Sequence, residues 1–153
     1  MWLAVVRTAA TAGGAGNEAI AQLWSPASVR TVKVSEIYIC ANGTPTAGSS
    51  FWLRRTSAKG TVTTTVTPDA NNDVRGLTAP PSGTELHGDW SVEPTLAGSV
   101  GLGGWTLGAV ASAEKRLIYP LGGEIEIPAG QGLLLCTKDT LAFPVCDVSF
   151  KWD

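Results

Sequence analysis

His87 is the only histidine of the chain, and it stands in the run His87-Gly88-Asp89-Trp90. A serine or cysteine hydrolase would use such a residue as its base, with a nucleophile held beside it. No Gly-x-Ser-x-Gly elbow occurs in the sequence, so the run reads as a loop end with the ring at the surface. Glu124 and Glu126 are the nearest thing to a carboxylate pair. Two residues apart on a strand, they leave the same face. Glycosidase carboxylates instead flank a bond across a cleft, about 5–10 Å apart. The two glutamates therefore read as a solvated face.

Asp69-x-Asn71-x-Asp73 has the oxygen spacing that opens a calcium loop. Val74 stands where the turn glycine belongs and Pro80 where the closing glutamate belongs, so the run reads as a polar turn without an ion. One histidine and three scattered cysteines, Cys40, Cys136 and Cys146, do not make a zinc site. The odd cysteine count suits small buried side chains in a protein made in a reducing cytosol. A Cys136–Cys146 bridge across neighbouring strands stays open. Gly101, Gly103 and Gly104 lack the Gly-Lys-Ser/Thr of a phosphate loop. The sequence thus offers no catalytic, cofactor-binding or metal-binding residues, and the chain reads as a binding protein rather than an enzyme.

Six tryptophans are the more telling feature. Tryptophan fills cores, stacks on sugars and anchors interfaces. Trp24, Trp52 and Trp152 fall within strand patterns and read as core. Trp2, near the start with Leu3 and Val5, and Trp105, beside glycines, read as partner-contact candidates.

The elements that carry these residues are short strands. Gly (18 residues) and Pro (9 residues) punctuate the chain between runs rich in Val, Ile, Thr, Leu and Trp, the spacing of an all-β sandwich or barrel. The expected strands are Trp2–Thr8, Glu18–Trp24, Val29–Cys40, Ser50–Thr56, Thr61–Thr67, Asp89–Leu96, Thr106–Ser112, Arg116–Pro120, Glu124–Ile127, Leu133–Thr137 and Val145–Trp152. Asn17–Trp24 also has helical spacing, but its short length and β surroundings favour a strand. In Val29–Cys40 the apolar phase changes: Val32 and Val34 share one face, Ile37 and Ile39 the other. Either both faces are buried or a bulge lies near Ser35-Glu36. Ser50–Thr56 and Thr61–Thr67 should form a hairpin around Lys59-Gly60. Pro68–Gly83 is the longest loop. Residues 1–16 read as an N-terminal strand or arm ending in a glycine-rich hinge, and 17–153 as a single domain. The fold class is all-β, an antiparallel two-sheet sandwich of jelly-roll type.

Composition narrows the function further. Charged residues make up 16% and the formal net charge is −2, against about 25% charged in an average domain. No basic stripe suited to nucleic acid is present. No apolar run approaches the roughly 20 residues of a membrane helix. The N-terminal Met1–Arg7 has its charge after its apolar residues, the reverse of a secretory signal. Low charge leaves neutral surface available to partners.

The order of motifs carries a resemblance. Thr31-Val32-Lys33-Val34-Ser35-Glu36-Ile37-Tyr38-Ile39 precedes Asn42-Gly43-Thr44-Pro45-Thr46, then Phe51-Trp52-Leu53-Arg54-Arg55-Thr56. Ser91-Val92-Glu93-Pro94-Thr95-Leu96 follows, and Gly122-Gly123-Glu124-Ile125-Glu126-Ile127-Pro128 leads into Gly132-Leu133-Leu134-Leu135. The series, over residues 20–150, resembles small jelly-roll decoration (cement) proteins of tailed-bacteriophage heads. That resemblance implies a homo-oligomer, often a trimer, made in the bacterial cytoplasm and seated on the capsid surface of the virion. Its partner would be the major capsid protein. The family has no catalytic residues to carry over. A carbohydrate-binding or receptor-binding module of a phage tail or other surface structure is the alternative.

Overall fold

The structure, a computed structural model, describes residues 1–27, 31–45, 49–69, 72–73 and 83–153. Twelve strands and no helix of the α type are present among them. They are β1 (Trp2–Arg7), β2 (Ala19–Ser25), β3 (Val32–Ala41), β4 (Ser50–Ala58), β5 (Thr61–Val66), β6 (Glu85–Val92), β7 (Thr95–Leu96), β8 (Gly103–Thr106), β9 (Glu114–Ile118), β10 (Ile125–Ile127), β11 (Gln131–Thr137) and β12 (Cys146–Trp152). Every pairing is antiparallel, and the strands make two sheets, so the chain is a β-sandwich.

The small sheet runs β1-β12-β3, with β9 and β10 sharing the far edge of β3. Its sequence alternation is the simplest in the molecule. In β12, Cys146, Val148, Phe150 and Trp152 are buried while Asp147, Ser149 and Lys151 are less so. In β1, Trp2, Ala4 and Val6 point inward while Leu3, Val5 and Arg7 point out. The phase change in β3 is a bulge. Lys151 faces Glu36 and Trp152 faces Val34, which leaves Ser35 unopposed. The extra residue re-phases the strand, so Val32, Val34, Ile37 and Ile39 all reach the core.

The large sheet runs β5-β6-β2-β11-β4-β7, with β8 also on β4. Its inner face supplies Leu23, Phe51, Leu53, Leu133 and Leu135 to the main core shared with the small sheet. Its outer face is buried too. Ala19, Leu134 and Cys136 form a second cluster there, with Trp52, Trp90 and Leu96 packed against it.

That second layer explains where sequence expectations failed. Ser50–Thr56 and Thr61–Thr67 do not form a hairpin. β4 pairs with β11, β7 and β8, and β5 pairs with β6. The Lys59-Gly60 corner instead crosses to the β6–β7 link. Gly60, at φ +73°, lies so close that a Cβ would sit 2.2 Å from the Val92 carbonyl oxygen, and Trp90 Nε1 donates to the Lys59 carbonyl at 2.9 Å. Thr106–Ser112 is not a strand; β8 ends at Thr106 and the chain loops from Leu107 to β9. The Asp89–Leu96 expectation begins too late, because β6 starts at Glu85. Most of the Pro68–Gly83 loop, and the start of the Val29–Cys40 run, lie outside the described residues.

Residues 1–16 are no free arm. β1 pairs with β12 along its whole length, and the glycine stretch is tied to the loop before β12. Thr11 N donates to the Phe143 carbonyl at 3.0 Å and Gly14 N to that of Thr140 at 2.7 Å. β1 also closes one side of the sandwich against β6: Ala9 N donates to the Gly88 carbonyl at 3.1 Å. On the opposite side the sheets end in short strands, β7 and β8 on one and β9 and β10 on the other.

Candidate functional site

His87 is at no surface. It lies mid-strand in β6 with 0% exposure, and it belongs to a chain of polar groups laid across the outer face of the large sheet. Lys59 Nζ sits 2.7 Å from Glu85 Oε2. The same carboxylate oxygen is 2.9 Å from His87 Nε2. His87 Nδ1 is 2.9 Å from Gln22 Oε1, and Gln22 Nε2 donates to Thr56 Oγ1 at 2.6 Å. Register explains the order. Gln22 faces His87 across the β2–β6 pair, while Thr56 lies two strands away from Gln22, beyond β11.

The residue between them is Gly132, paired to both Trp24 and Thr56. A Cβ there would come within 2.5 Å of Thr56 Oγ1 and 2.8 Å of Gln22 Nε2. The missing side chain is the gap through which Gln22 and Thr56 meet. Burial pushes the His87 imidazole below its usual pKa, and the Glu85 carboxylate only partly offsets this. Burial opposes charge on Glu85 as well, but hydrogen bonds and attraction from Lys59 and His87 outweigh it and hold its pKa below the usual carboxylate value. The chain of groups thus links β6, β2 and β4 through side chains, with Glu85 and Gln22 as the hydrogen-bond partners of the His87 ring.

Nearby on the same face lies Arg54, 4% exposed. Its guanidinium donates to Asn17 Oδ1 at 3.0 Å and to the Gly98 carbonyl at 2.7 Å, and stacks 4.9 Å from the Trp52 ring centre. Asn17 holds this arrangement from a left-handed backbone conformation, φ 67°, and also accepts from Trp52 Nε1 at 3.1 Å. Trp24 and Trp52 are half-buried members of this outer layer, whereas Trp152 is wholly enclosed in the main core.

Among the described residues, two depressions can be placed at the surface. One, of about 580 Å³, is lined by Tyr119, Leu102 and Ile125 with Lys33, Arg55, Glu124 and Glu126 around it. Its charged groups are each engaged: Lys33 pairs with Glu126 at 3.3 Å, Arg55 donates to the backbone carbonyl of Glu126, and Glu124 accepts from the backbone N of Gly122 at 2.8 Å. The other, of about 190 Å³, holds Glu18, Asp89 and Glu93 beside Trp90. Burial raises the Glu93 carboxyl, and the neighbouring Glu18 and Asp89 raise it further, against a hydrogen bond from Ala19 N. No group of three His, Cys, Asp or Glu side chains among the described residues is placed to hold a metal ion. Asp69 and Asp73, from the calcium-like run, lie apart in environment. Asp73 is buried beside Trp2 and Asp69 is exposed; Asn71 lies outside the described residues.

The cysteines are three free thiols. β11 and β12 are not neighbouring strands but belong to different sheets, with Cys136 in the outer cluster and Cys146 in the main core. Burial pushes both thiols up to about 12.

Of the four partner-contact candidates, Trp2 is corrected outright. It is 6% exposed, because the inward phase of β1 carries it into the core. Leu3 and Val5, on the outward phase, are 40% and 52% exposed. Trp105 is half-buried on the main core, its ring 5.8 Å from that of Phe51. The larger exposed apolar set gives no signal in sequence because it is aliphatic and scattered. Val100, Leu102, Val110, Ile118 and Leu121 all protrude, Leu121 with 98% of its surface in solvent. They lie in or beside β8 and β9, on the side where both sheets end in short strands. Comparison with known protein families, curated proteins and solved structures finds no match to the chain.

Proposed function

We propose that this chain is a structural binding protein that works by docking its open side onto neighbouring protein subunits, and that the docking is that of a capsid decoration protein. One observation supports the reading most. Five of the nine large exposed hydrophobic side chains fall within Val100–Leu121, beside the free outer edges of β8 and β9 among the described residues. Exposed aliphatic side chains next to unpaired strand edges are a surface that gains from being covered. Strand addition would satisfy the edge and burial would satisfy the side chains. The partner is the major capsid protein, the chain acts as a homotrimer, and its place is the outer surface of the virion. The motif order of residues 20–150 supports those finer assignments.

A carbohydrate-binding or receptor-binding module is the second reading. It draws on the larger depression, whose volume falls in the range of about 300–1,000 Å³ typical of ligand sites, and on the Tyr119 ring beside Arg55 and Glu124.

Size-exclusion chromatography with light scattering, alone and with purified expanded heads, separates the two. The decoration reading expects three times the 15.8 kDa chain mass and co-elution with heads. It also expects Leu121→Asp with Ile118→Asp to abolish head binding while thermal unfolding is unchanged. A monomer that ignores heads and binds a glycan array, with binding lost in Tyr119→Ala, would replace it with the second reading.

A further inference from the structure

The hydrogen-bond chain through His87 has two complete settings that differ by one proton. With the Gln22 oxygen toward the ring, Nδ1 has to donate, because an amide oxygen offers no hydrogen. Nε2 already faces the Glu85 carboxylate, so both ring nitrogens donate and the ring is imidazolium. A neutral ring keeps its hydrogen on Nε2 for Glu85 and leaves Nδ1 as an acceptor. The Gln22 amide then turns over, its nitrogen donating to Nδ1 and its oxygen accepting from the Thr56 hydroxyl. No polar atom of the chain is orphaned in either setting.

The settings differ in charge. Around the ring stand Glu85 on the same strand, Lys59 from the corner after β4, and the uncharged Gln22 of β2 and Thr65 of β5. The β1 segment that packs against Gly88 brings the Arg7 carbonyl there, while the Arg7 guanidinium is engaged with Asp147 at 2.8 Å. One carboxylate therefore serves two cations once the ring is charged, and the ring has no access to water.

The site is also where the β5–β6 edge is attached. β6 pairs with β2 at three positions only: His87 with Gln22, Leu86 with Leu23 and Glu85 with Trp24. Lys59 ties the corner to the same carboxylate, and Trp90 sets its ring edge-on to His87 at 6.3 Å. We propose that His87 is an acid-sensitive latch: when it takes up a proton, the Lys59-Gly60 corner and the β5–β6 edge of the large sheet, with Leu86, come away from β2, while the rest of the main core stays closed. The unfolded imidazole protonates near its reference value of about 6.5. The buried ring resists protonation, so the latch is fully engaged above that pH and weakens as pH falls below it.

The cysteines report the opening. Cys136 lies in the outer cluster against which Trp90 packs, Cys146 lies in the main core, and Cys40 is half-exposed. The purified chain is treated with 4,4′-dithiodipyridine, which reacts with thiols in acid, at pH about 7.5 and about 5 on either side of the histidine reference value. Labelled sites are read by peptide mass spectrometry. Cys40 should react at both pH values. Cys136 should react about tenfold faster in acid through local opening, and Cys146 should stay slow. His87→Gln, which hydrogen-bonds without charging, should remove the acid response. Gln22→Glu, which gives the imidazolium a second carboxylate, should move it to lower pH. If Cys136 and Cys146 become reactive together at every pH, or if His87→Gln opens at the same pH as the parent chain, the latch is refuted. Should His87→Gln fail to fold, the Cys136/Cys146 contrast in the parent chain and the Gln22→Glu shift decide the matter alone.

Discussion

The two faces of the large sheet are built on different terms. The inner face packs Leu23, Leu53, Leu133 and Leu135 against the small sheet, all at 0% exposure. The outer face is as well buried at its centre but holds Gln22, Arg54, Thr56 and His87 among Ala19, Leu134 and Cys136. Apolar packing is non-directional and adds area by area. A buried polar chain holds only while each member has its partner, and one missing partner costs about 1–3 kcal/mol. The inner face therefore sets how stable the sandwich is. The outer face sets where the covering segments lie, and it is the face that conditions can unsettle.

The contrast can be broken from the inside first. Phe150→Ala empties a fully enclosed site in the main core and should cost about 3–5 kcal/mol in urea denaturation, with all probes moving together. A smaller loss confined to Trp90 fluorescence would mean that the two faces are not distinct. Gly132→Ala should come next, at about 1–3 kcal/mol. The new methyl group lands between Gln22 and Thr56, so faster hydrogen exchange in β5 and β6 than in β12 should accompany it. Equal protection across all three strands would sink that account. Arg7→Gln should have the smallest effect. Its pair with Asp147 is well exposed, at 64% and 40% for the two side chains, and an unchanged melting temperature is expected.

Alternation made the small sheet readable. β12 and β1 each have one wet and one dry face, and the period-2 pattern of Val148, Phe150 and Trp152 is what such a strand must show. The same rule accounts for Trp2. Its position near the chain start suggests a contact residue, but its phase with Ala4 and Val6 places it inside. The large sheet was harder because its strands are buried on both faces, and polar residues that satisfy one another look like surface residues in sequence. His87 is the clearest case. Nothing local distinguishes it from a loop histidine, since its partners are Gln22, 65 positions earlier, and Glu85, which registers as a partner only once β6 is known to begin there. The false hairpin at Lys59-Gly60 has the same origin. A Lys-Gly corner between two β-prone runs is a turn signal, but the second run pairs with β6 at the other edge of the sheet, and the corner is held by Trp90 Nε1 donating to the Lys59 carbonyl. The exposed aliphatic side chains of Val100–Leu121 have no period at all, so only the topology gathers them on one side.

Ser35 shows that some positions are specified by count rather than by chemistry. Nothing stands opposite it in register, and its side chain makes one long hydrogen bond, to the Lys151 carbonyl at 3.3 Å, so a change of side chain should have little consequence. Removing the residue is another matter. A shortened β3 would register smoothly with β12 yet turn either Val32 and Val34 or Ile37 and Ile39 toward water, and would cost β9 or β10 its shared edge. Substitutions at this point should be tolerated in a random library while single-codon deletions vanish from it.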